Sequence, residues 1–442
     1  MAWQDMRLFA YDVVYRTLEE NGHSDELFHR ILRNDPEMER NQKGFVKRLS
    51  FGTIERAIEM DACLEQVSDM PVRKMDAEVR TVLRMALYEI RHMQSVAPFV
   101  SCDEAVKLIR HLLGNRATGF VNGVLREYLR REDGISLDKR QELSLPEELF
   151  SHLVSQYGKK TAGKIGKRFL EKSGEVTLHL DTNKILKKDY INLLETGGVS
   201  WRDGAYFADA VMVSRISDVQ KLPGYEKGWF FVQDESSMLP VACAGIRPGD
   251  TVADICCAPG GKSMHALMKL NGSGSLVARD VSLKKVDLTK ENLTRMGYGN
   301  VSCEVWDAAV PDAALKGRVD ILLADVPCSG IGIIGRKPEI KYRAMAQAGE
   351  LVSLQRAICE ASVPLLKPGG VLIYSTCTIN RAENEENVQW LLQRFGLVPE
   401  SLDDFLPEGL QNRMSAQGML QILPGIQECD GFFVARLRKK AM

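Results

Sequence analysis

The sequence predicts a multidomain protein with an all-α bundle at its N-terminus, a small α+β module in its middle and a doubly wound parallel α/β domain at its C-terminus. Up to about residue 130, apolar residues recur with helical spacing and strand signals are absent. Between residues 176 and 218, short strand-like runs accompany a helix. From about residue 229 to 439, strand and helix segments alternate regularly, which is typical of a parallel sheet covered by helices.

The helices of the N-terminal bundle are predicted from amphipathic segments. Residues 79–90 carry apolar side chains on one helical face. A second helix is expected after Pro98, with Ser101 as its N-cap and Glu104 completing a capping box. A third helix is expected over residues 117–130.

A polar linker, residues 131–145, leads to a basic helical pair over about residues 146–172. The pair's basic residues, opposed by Glu171 alone, are Lys159, Lys160, Lys164, Lys167, Arg168 and Lys172. Two interpretations stay open: a solvated helix face and a surface that contacts phosphate. The α+β module follows, with strands expected at 176–180, 199–201 and 211–216.

The C-terminal region supplies the strands of the predicted parallel sheet. They are expected at residues 251–255, 275–279, 301–305, 321–324, 371–375 and 431–436, with helices beginning near Lys262, Lys284, Gly349 and Ala382. Ligands of open α/β sheets bind beyond the carboxyl ends of the strands. Residues at those ends are therefore the candidates for chemistry.

Composition excludes several classes of protein. In 442 residues, 58 Lys and Arg nearly balance 59 Asp and Glu, so a nucleic-acid partner would have to bind a local basic patch. Ten cysteines without a C-x-x-C pair indicate neither zinc nor a disulfide framework, and free thiols favour a reducing cytoplasm. We find no signal-peptide core and no run of roughly 18 apolar residues that would cross a membrane.

A glycine turn follows the first predicted strand of the sheet, in the run DICCAPGGKS at residues 254–263. A strand, the Gly260–Gly261 turn and a helix starting at Lys262 bring backbone amides close to a nucleotide-like ligand. A Walker A loop is excluded because Cys256 stands where its first glycine is needed, and the G-x-G-x-x-G fingerprint is absent.

Two acids, Asp280 and Asp307, come at the next two strand ends. An acid at the end of the second strand commonly accepts ribose hydroxyls, and one at the next strand end could hold a purine amino group. The alternative is that each is an ordinary cap, but their order behind the glycine turn favours the ligand role.

Two cysteines also follow predicted strands. Cys328 lies in the run ADVPCSG at residues 324–330, and Cys377 lies in YSTCT at residues 374–378. A cysteine by itself is more often a small buried hydrophobe. Two strand-end thiols beside a cofactor loop instead indicate covalent chemistry on a bound substrate.

These motifs resemble the signatures of a known family. Residues 254–263, 325–330 and 375–378 are similar to motifs of the RNA cytosine-5 methyltransferases of the Sun (Fmu, NOL/NOP2) family. The run VQDESS at residues 232–237 resembles the family's motif ahead of the catalytic domain. Departures are modest: Cys257 stands where the family usually has alanine.

The N-terminus carries a second resemblance, to the NusB antitermination-factor fold, at residues 86–90, 104–108 and 120–125. A NusB-like domain fused to a methyltransferase is the layout of the RsmB family, which methylates small-subunit (16S) ribosomal RNA. The resemblance thus implies a NusB-like helical RNA-binding domain at 1–135, linker helices and an α+β RNA-binding module at 145–228, and a Rossmann-like class I methyltransferase domain at 229–442.

The resemblance also implies a cofactor, S-adenosylmethionine, and roles for single residues. Cys377 would be the nucleophile that adds to carbon 6 of cytosine, and Cys328 would assist release of the methylated product. Asp325 would hold the ring near nitrogen 3. A free thiol has a pKa of about 8.5, so Lys262 is a candidate to favour the Cys377 thiolate. The implied cofactor residues are Cys256, Cys257, Ala258, Pro259, Gly260, Gly261, Lys262, Asp280, Asp307 and Asp325.

Three alternatives stay open. In DNA cytosine-5 methyltransferases the Pro-Cys thiol itself attacks, and their Glu-Asn-Val tripeptide is matched at residues 386–388. That match lies in the charged opening of a predicted helix and is interpreted as coincidence, since the second thiol favours RNA. The substrate could be large-subunit rRNA or tRNA instead. A non-catalytic RNA-binding assembly factor is the third, although every key motif position is filled.

The expected partner is small-subunit rRNA, protein-free or early in assembly, with its target base out of any stack. Four basic residues just past the Pro-Cys run are expected either to contact phosphate or to be solvated: Arg336, Lys337, Lys341 and Arg343. The target cytosine and the oligomeric state do not follow from the sequence.

Overall fold

The computed structural model describes residues 3–171, 174–216 and 218–441, so Lys172 of the predicted basic pair lies outside the described residues. The chain divides into two compact units. The helical unit comprises Met1–Glu171 with Ile334–Met345, and the sheet unit comprises Lys172–Ile333 with Ala346–Met442.

Helices build the first unit, as the sequence predicts: α1 (Trp3–Leu18), α2 (Ser24–Asn34), α3 (Arg40–Val67), α4 (Ala77–His92), α5 (Pro98–Leu113), α6 (Thr118–Arg131), α7 (Lys139–Glu142) and α8 (Glu147–Leu170). Apolar side chains of α1 to α6 form one continuous core. The short helix α7 lies within the stretch predicted to be a linker. Helix α8 is interrupted at Gly158, where φ is 77°, so the predicted helical pair is confirmed.

Helix α5 starts earlier than predicted. Its first turn begins at Pro98, with Ala97 as the N-cap, because a proline in the first turn needs no partner for a backbone N–H. Ser101 is therefore buried inside the helix, and the predicted capping box does not form. Glu104 instead accepts from Lys107 Nζ at 2.8 Å.

The sheet unit opens with the α+β module, which confirms that prediction. Its elements are β1 (Glu175–Leu180), α9 (Lys187–Thr196), β2 (Ser200–Asp203), β3 (Ala210–Ser214) and β4 (Phe230–Val232). The strands form an antiparallel sheet in the order β2-β3-β1-β4. Leu178, Tyr190 and Phe230 lie in its core.

The larger sheet follows. Its helices and strands are α10 (Glu235–Ala242), β5 (Thr251–Asp254), α11 (Gly261–Leu270), β6 (Ser275–Asp280), α12 (Leu283–Met296), β7 (Val301–Val305), β8 (Val319–Asp325), α13 (Ala344–Ser362), β9 (Leu366–Thr376), α14 (Glu385–Phe395), β10 (Val398–Pro399), β11 (Met419–Ile422) and β12 (Phe432–Arg438). The strand order is β10-β12-β9-β8-β5-β6-β7, and β11 pairs with β12.

The sheet is mixed, which corrects the predicted all-parallel arrangement. Strands β5 to β9 are parallel, but β12 runs antiparallel to β9, with Phe433 opposite Thr376. The apolar run that marks a buried strand carries no information about its direction, so the sequence could not show this. Two helices also begin elsewhere than predicted, α13 at Ala344 and α14 at Glu385. None of the helices in the described ranges is long and apolar enough to cross a membrane.

Candidate active site

Five parallel strands bring the predicted site residues to one edge of the sheet. In the order β9-β8-β5-β6-β7, Cys377 follows β9 and Cys328 lies just beyond β8. The glycine turn follows β5, Asp280 ends β6, and Asp307 comes two residues after β7. Because the carboxyl ends of parallel strands share an edge, two strands present thiols and the three beside them present the turn and the acids.

The two thiols are in contact. The Sγ atoms of Cys328 and Cys377 lie 3.3 Å apart, both cysteines are half-buried, and both are free. The hydrogen bond with Cys377, followed by burial and by the nearby charges of Glu383 and Asp325, raises the pKa of Cys328 well above its usual value. Cys328 is therefore held as a protonated thiol near neutral pH.

A cation and a carboxylate lie beside this pair. Lys262 Nζ donates to Asp325 Oδ2 at 2.6 Å, and Ser375 Oγ donates to Asp325 Oδ1 at 2.8 Å. Burial lowers the pKa of Lys262, but the charge and hydrogen bond of Asp325 outweigh it, so that the pKa lies above its usual value. A negative charge on Cys377 also raises it. Lys262 is therefore charged beside the two thiols.

Glycine is required in the turn after β5. Gly260 has a φ of 103°, and a Cβ there would lie 3.2 Å from Thr289 Cγ2. Its N–H donates to the carbonyl of Cys257 at 2.7 Å, after a cis Ala258–Pro259 peptide bond. The N-cap residue of α11 is Gly260, which has no side chain to cap the helix. A close-approaching nucleotide-like ligand fits such a bare, uncapped turn.

The two cysteines of the turn are structural in their contacts. Cys257 is buried, its N–H donates to the Arg279 carbonyl at 2.8 Å, and its Sγ lies 3.7 Å from Thr289 Oγ1. Burial raises the pKa of Cys257. Burial and nearby carboxylates raise the pKa of Cys256 well above its usual value. Neither thiol is therefore prepared to act as a nucleophile.

The two strand-end acids differ. Asp280 is buried, and its Oδ1 lies 3.5 Å from Lys285 Nζ and accepts the N–H of Ser282 at 3.4 Å. Asp307 is exposed, and its Oδ1 accepts the N–H of Ala309 at 2.9 Å, which is the local capping bond of the alternative interpretation. Asp280 is the better fit to a ligand role.

Sequence reasoning missed a buried carboxylate behind the two thiols. Glu383 has no exposed surface and accepts the N–H of Ser329 at 2.8 Å, together with the Ser329 hydroxyl. It also accepts from Gln355 Nε2 at 3.0 Å and from Asn380 Nδ2 at 3.1 Å. Nothing in the sequence separates Glu383 from the exposed charges of the run RAENEE at residues 381–386.

Two asparagines of the same segment are also buried. Asn384 Oδ1 accepts from the Thr376 hydroxyl at 2.6 Å. Asn387, in the Glu-Asn-Val tripeptide, donates to Gln355 Oε1 at 2.7 Å and to Tyr374 Oη at 3.1 Å. The tripeptide therefore contributes to packing around β9, and the segment is more than a charged helix opening.

One of the basic residues expected to contact phosphate does not lie on a surface. Lys341 is buried in the helical unit, where its Nζ donates to the carbonyls of Ser144, at 2.7 Å, and Glu55. Burial lowers its pKa to about 7. Arg343 is half-buried, and its Nη2 lies 2.9 Å from His23 Nδ1. Lys337 is exposed, as are the lysines of α8 at positions 159, 160, 164 and 167.

Comparisons with known proteins identify the family of the chain. Residues 243–438 match the family described as 16S rRNA methyltransferase RsmB/F, and residues 4–130 match the NusB family. The chain is 30% identical over 447 residues to the probable ribosomal RNA small subunit methyltransferase B of Bacillus subtilis, covering 98% of this chain and 99% of that protein. Its Synechocystis counterpart is 28% identical, with the same coverage.

A solved structure shares the fold of about two thirds of the chain. A methyltransferase homolog protein from Pyrococcus horikoshii superposes with a TM-score of 0.57 and 26% identity, covering 69% of this chain and 98% of that one. The predicted architecture is thus confirmed: a NusB-like helical domain at the N-terminus and an α/β methyltransferase domain at the C-terminus.

Proposed function

Since the chain belongs to the RsmB/F family of 16S rRNA methyltransferases, which use S-adenosylmethionine, we propose that it methylates carbon 5 of a cytosine in 16S rRNA through a covalent Cys377–cytosine intermediate. The observation that carries this proposal is the thiol pair. Cys328 and Cys377 lie 3.3 Å apart at the ends of adjacent strands, beside the Lys262–Asp325 ion pair. One thiol can therefore form a bond to the base while the other remains within reach of it.

Carbon 5 of cytosine is too weak a nucleophile to accept a methyl group unaided. Addition of a thiolate to carbon 6 turns the ring into an enamine, which makes carbon 5 nucleophilic. Cys377 is the proposed attacking group, as the resemblance to the RNA cytosine-5 methyltransferases implies, and Lys262 supplies a positive charge that acts on it. The pKa of Cys328 is raised, which disfavours its thiolate at this stage.

Asp325 is proposed to hold the cytosine ring as charge builds at nitrogen 3. Its carboxylate is fixed on both oxygens, by Lys262 and by Ser375, so it requires little reorganisation when the base enters.

The proposed role of Cys328 begins after methyl transfer, when the carbon 5 proton must leave and the Cys377–carbon 6 bond must break. Once the sulfur of Cys377 is bonded to carbon, it carries no negative charge. The charge of Cys377, one of the causes of the raised pKa of Cys328, is then absent, so Cys328 ionises more readily. As a thiolate it can accept the carbon 5 proton, and elimination frees Cys377.

The cofactor would be held by the turn after β5 and by Asp280. When bound, S-adenosylmethionine supplies the methyl group that carbon 5 accepts. Gly260 keeps the turn free of side chains, and the uncapped start of α11 leaves backbone N–H groups available to a polar ligand. Asp280, buried at the end of β6, is the proposed acceptor for ribose hydroxyls.

RNA binding is proposed for the NusB-like domain at residues 1–135 and for the helices and α+β module at residues 145–228. The exposed lysines of α8 supply the local positive charge that the whole chain, with a net charge of −1, does not provide. The base must leave its stack to reach Cys377, so a loop or single strand is the proposed target.

The test uses labelled S-adenosylmethionine, protein-free 16S rRNA and the purified full chain. Cys377→Ala should abolish label transfer, whereas Cys328→Ala should accumulate a protein–RNA adduct that survives a denaturing gel. Cys303→Ala is the control, because Cys303 is half-buried like the two proposed catalytic cysteines but lies on β7, outside the thiol pair. Bisulfite sequencing of the product should find protection at one cytosine.

Other outcomes identify the alternatives. An active Cys377→Ala variant together with an inactive, adduct-free Cys328→Ala variant would reverse the roles of the two thiols. Methylation of 23S rRNA or tRNA in place of 16S rRNA would change the substrate. Wild-type protein that binds RNA but labels none would favour the assembly factor.

A further inference from the structure

The carboxylate of Glu383 is buried without a cationic partner among the contacts that hold it. Four neutral donors surround it, the N–H and hydroxyl of Ser329 and the side-chain amides of Gln355 and Asn380. A buried carboxylate is strongly destabilising unless hydrogen bonds replace its lost water. Such a dense set of donors indicates that the position of this group matters.

Two of the donors of Glu383, Ser329 and Asn380, lie on the backbone segments that carry the thiols. Ser329 directly follows Cys328, and its Oγ lies 2.8 Å from the hydroxyl of Thr378, which directly follows Cys377. Gln355, on α13, donates to the Pro327 carbonyl at 2.8 Å as well as to Glu383. Glu383 therefore holds the residues on both sides of Cys328, one directly and one through Gln355.

We propose that Glu383 is a positioning residue for the methyl transfer reaction, which holds the Cys328 thiol at its 3.3 Å contact with Cys377 and keeps Cys328 protonated until the base is bound. The inference rests on the proposed function of the two thiols. Glu383 touches neither the base nor the cofactor in this scheme. It acts through the segment that it holds and through its charge.

The charge of Glu383 has a defined effect. The pKa of Cys328 is raised by the hydrogen bond with Cys377, by burial, and by the charges of Glu383 and Asp325. Of these two carboxylates, Asp325 is itself paired with Lys262. Removing the charge of Glu383 lowers the pKa of Cys328, so that Cys328 is less firmly held as a protonated thiol. The enzyme would then lose part of the difference that lets one thiol attack while the other waits.

The kinetic test compares Glu383→Gln with Glu386→Gln, three residues further on and exposed. Glu383→Gln should lower kcat about 10-fold or more, leave the KM for S-adenosylmethionine within about twofold, and accumulate part of the covalent adduct seen with Cys328→Ala. Glu386→Gln should resemble the wild type. Wild-type turnover in Glu383→Gln, or a loss of turnover without adduct, would overturn the inference.

A second measurement requires no RNA. In a Cys377→Ala background, the rate at which iodoacetamide modifies Cys328 is followed against pH by mass spectrometry. Glu383→Gln should move the midpoint about one pH unit lower, and Glu383→Asp, which keeps the charge, should leave it in place. An unchanged midpoint in Glu383→Gln contradicts the inference even if the enzyme methylates RNA. A shifted midpoint in a protein that methylates no RNA contradicts only the proposed function.

A variant that retains the carboxylate covers the case in which Glu383→Gln does not fold. Ser329→Ala removes one hydroxyl donor and leaves the charge of Glu383, so Cys328 should keep its alkylation midpoint. Because the contact between Glu383 and Ser329, the residue after Cys328, is weaker, the protein–RNA adduct should still accumulate. Ser329→Ala protein that releases product at the wild-type rate would contradict the positioning role.

Discussion

Two lysines, one in each unit, occupy opposite electrostatic states. Lys262, in the first turn of α11, is largely buried and lies against the Asp325 carboxylate, so its pKa stays above its usual value. Lys341, in the helical unit, is buried against the carbonyls of Glu55 and Ser144, and its pKa falls to about 7. Loss of water therefore does not decide the charge of a lysine; what replaces the water does.

The difference separates a functional cation from a structural anchor. The charge of Lys262 is kept by a carboxylate and acts on Cys377. Lys341 is half neutral near pH 7, and its bonds fix the segment Ile334–Met345 to helix α3 and to the chain just before α8. Nearby, Tyr342 donates to the Ile54 carbonyl at 2.6 Å, a second anchor of the same kind.

The largest expected effect comes from removing the functional cation. Lys262→Met removes the cation that pairs with the Asp325 carboxylate and acts on Cys377, and loss of one preorganised group of this kind raises the barrier by about 3 kcal/mol. Methyl transfer should fall about 100-fold or more. The measurement is single-turnover label transfer, with Lys269→Met, an exposed lysine of the same helix, as the control. Equal rates for the two variants would remove Lys262 from the mechanism.

The low pKa of Lys341 should affect how the stability of the protein depends on pH. The folded pKa of Lys341, about 7, is lower than its ordinary 10.5, so between these values the unfolded chain binds one more proton. Stability must then rise with pH over this window, by up to about 1.4 kcal/mol per unit from this group, and the gain is lost as pH falls towards 7.

Lys341→Met should flatten that rise in urea unfolding measured between pH 7.5 and 9.5. The control is Lys337→Met in the same segment, which is exposed and should keep the wild-type slope. If both variants retain the slope, Lys341 is charged in the folded protein and the contrast with Lys262 disappears.

The smallest effect of a lysine substitution is expected for a lysine that is exposed to solvent. Lys164 is exposed on α8, and Lys164→Ala should weaken RNA binding about threefold. It should also reduce the slope of log affinity against log salt by about 0.7. The control is Lys139→Ala, because Lys139 Nζ lies 3.1 Å from Glu142 Oε2 and is already neutralised. An unchanged slope of log affinity against log salt would indicate that the lysines of α8 are solvated and do not contact phosphate.

The site could be predicted to the extent that it is local in the chain. The glycine turn, Asp280, Cys328 and Cys377 all follow apolar runs that the structure confirms as strands. In the helical unit the same reasoning found the helices but misplaced the start of α5, since Pro98 competes with Ser101 for the first turn. The remainder depends on contacts between residues far apart in sequence.

Glu383 and Lys341 are the clearest cases of such contacts. Glu383 bonds to Ser329, which is 54 positions earlier, and Lys341 bonds to Ser144, which is 197 positions earlier. Each stands in the sequence among other charged residues, and no local pattern marks which of them loses its water. The direction of β12 is the same kind of fact, because its apolar run fits either orientation.

The sequence by itself determined the two domain types, the strand-end positions of the thiols and the glycine turn, because these follow from the spacing of apolar residues and from backbone conformations that few residues allow. Only the tertiary structure decided that the two Sγ atoms touch, that Glu383 lies buried behind them, and that Lys262 keeps its charge while Lys341 loses half of it near pH 7. The physical reason is that hydrogen bonding and charge depend on which groups replace water, and folding makes that choice across the whole chain.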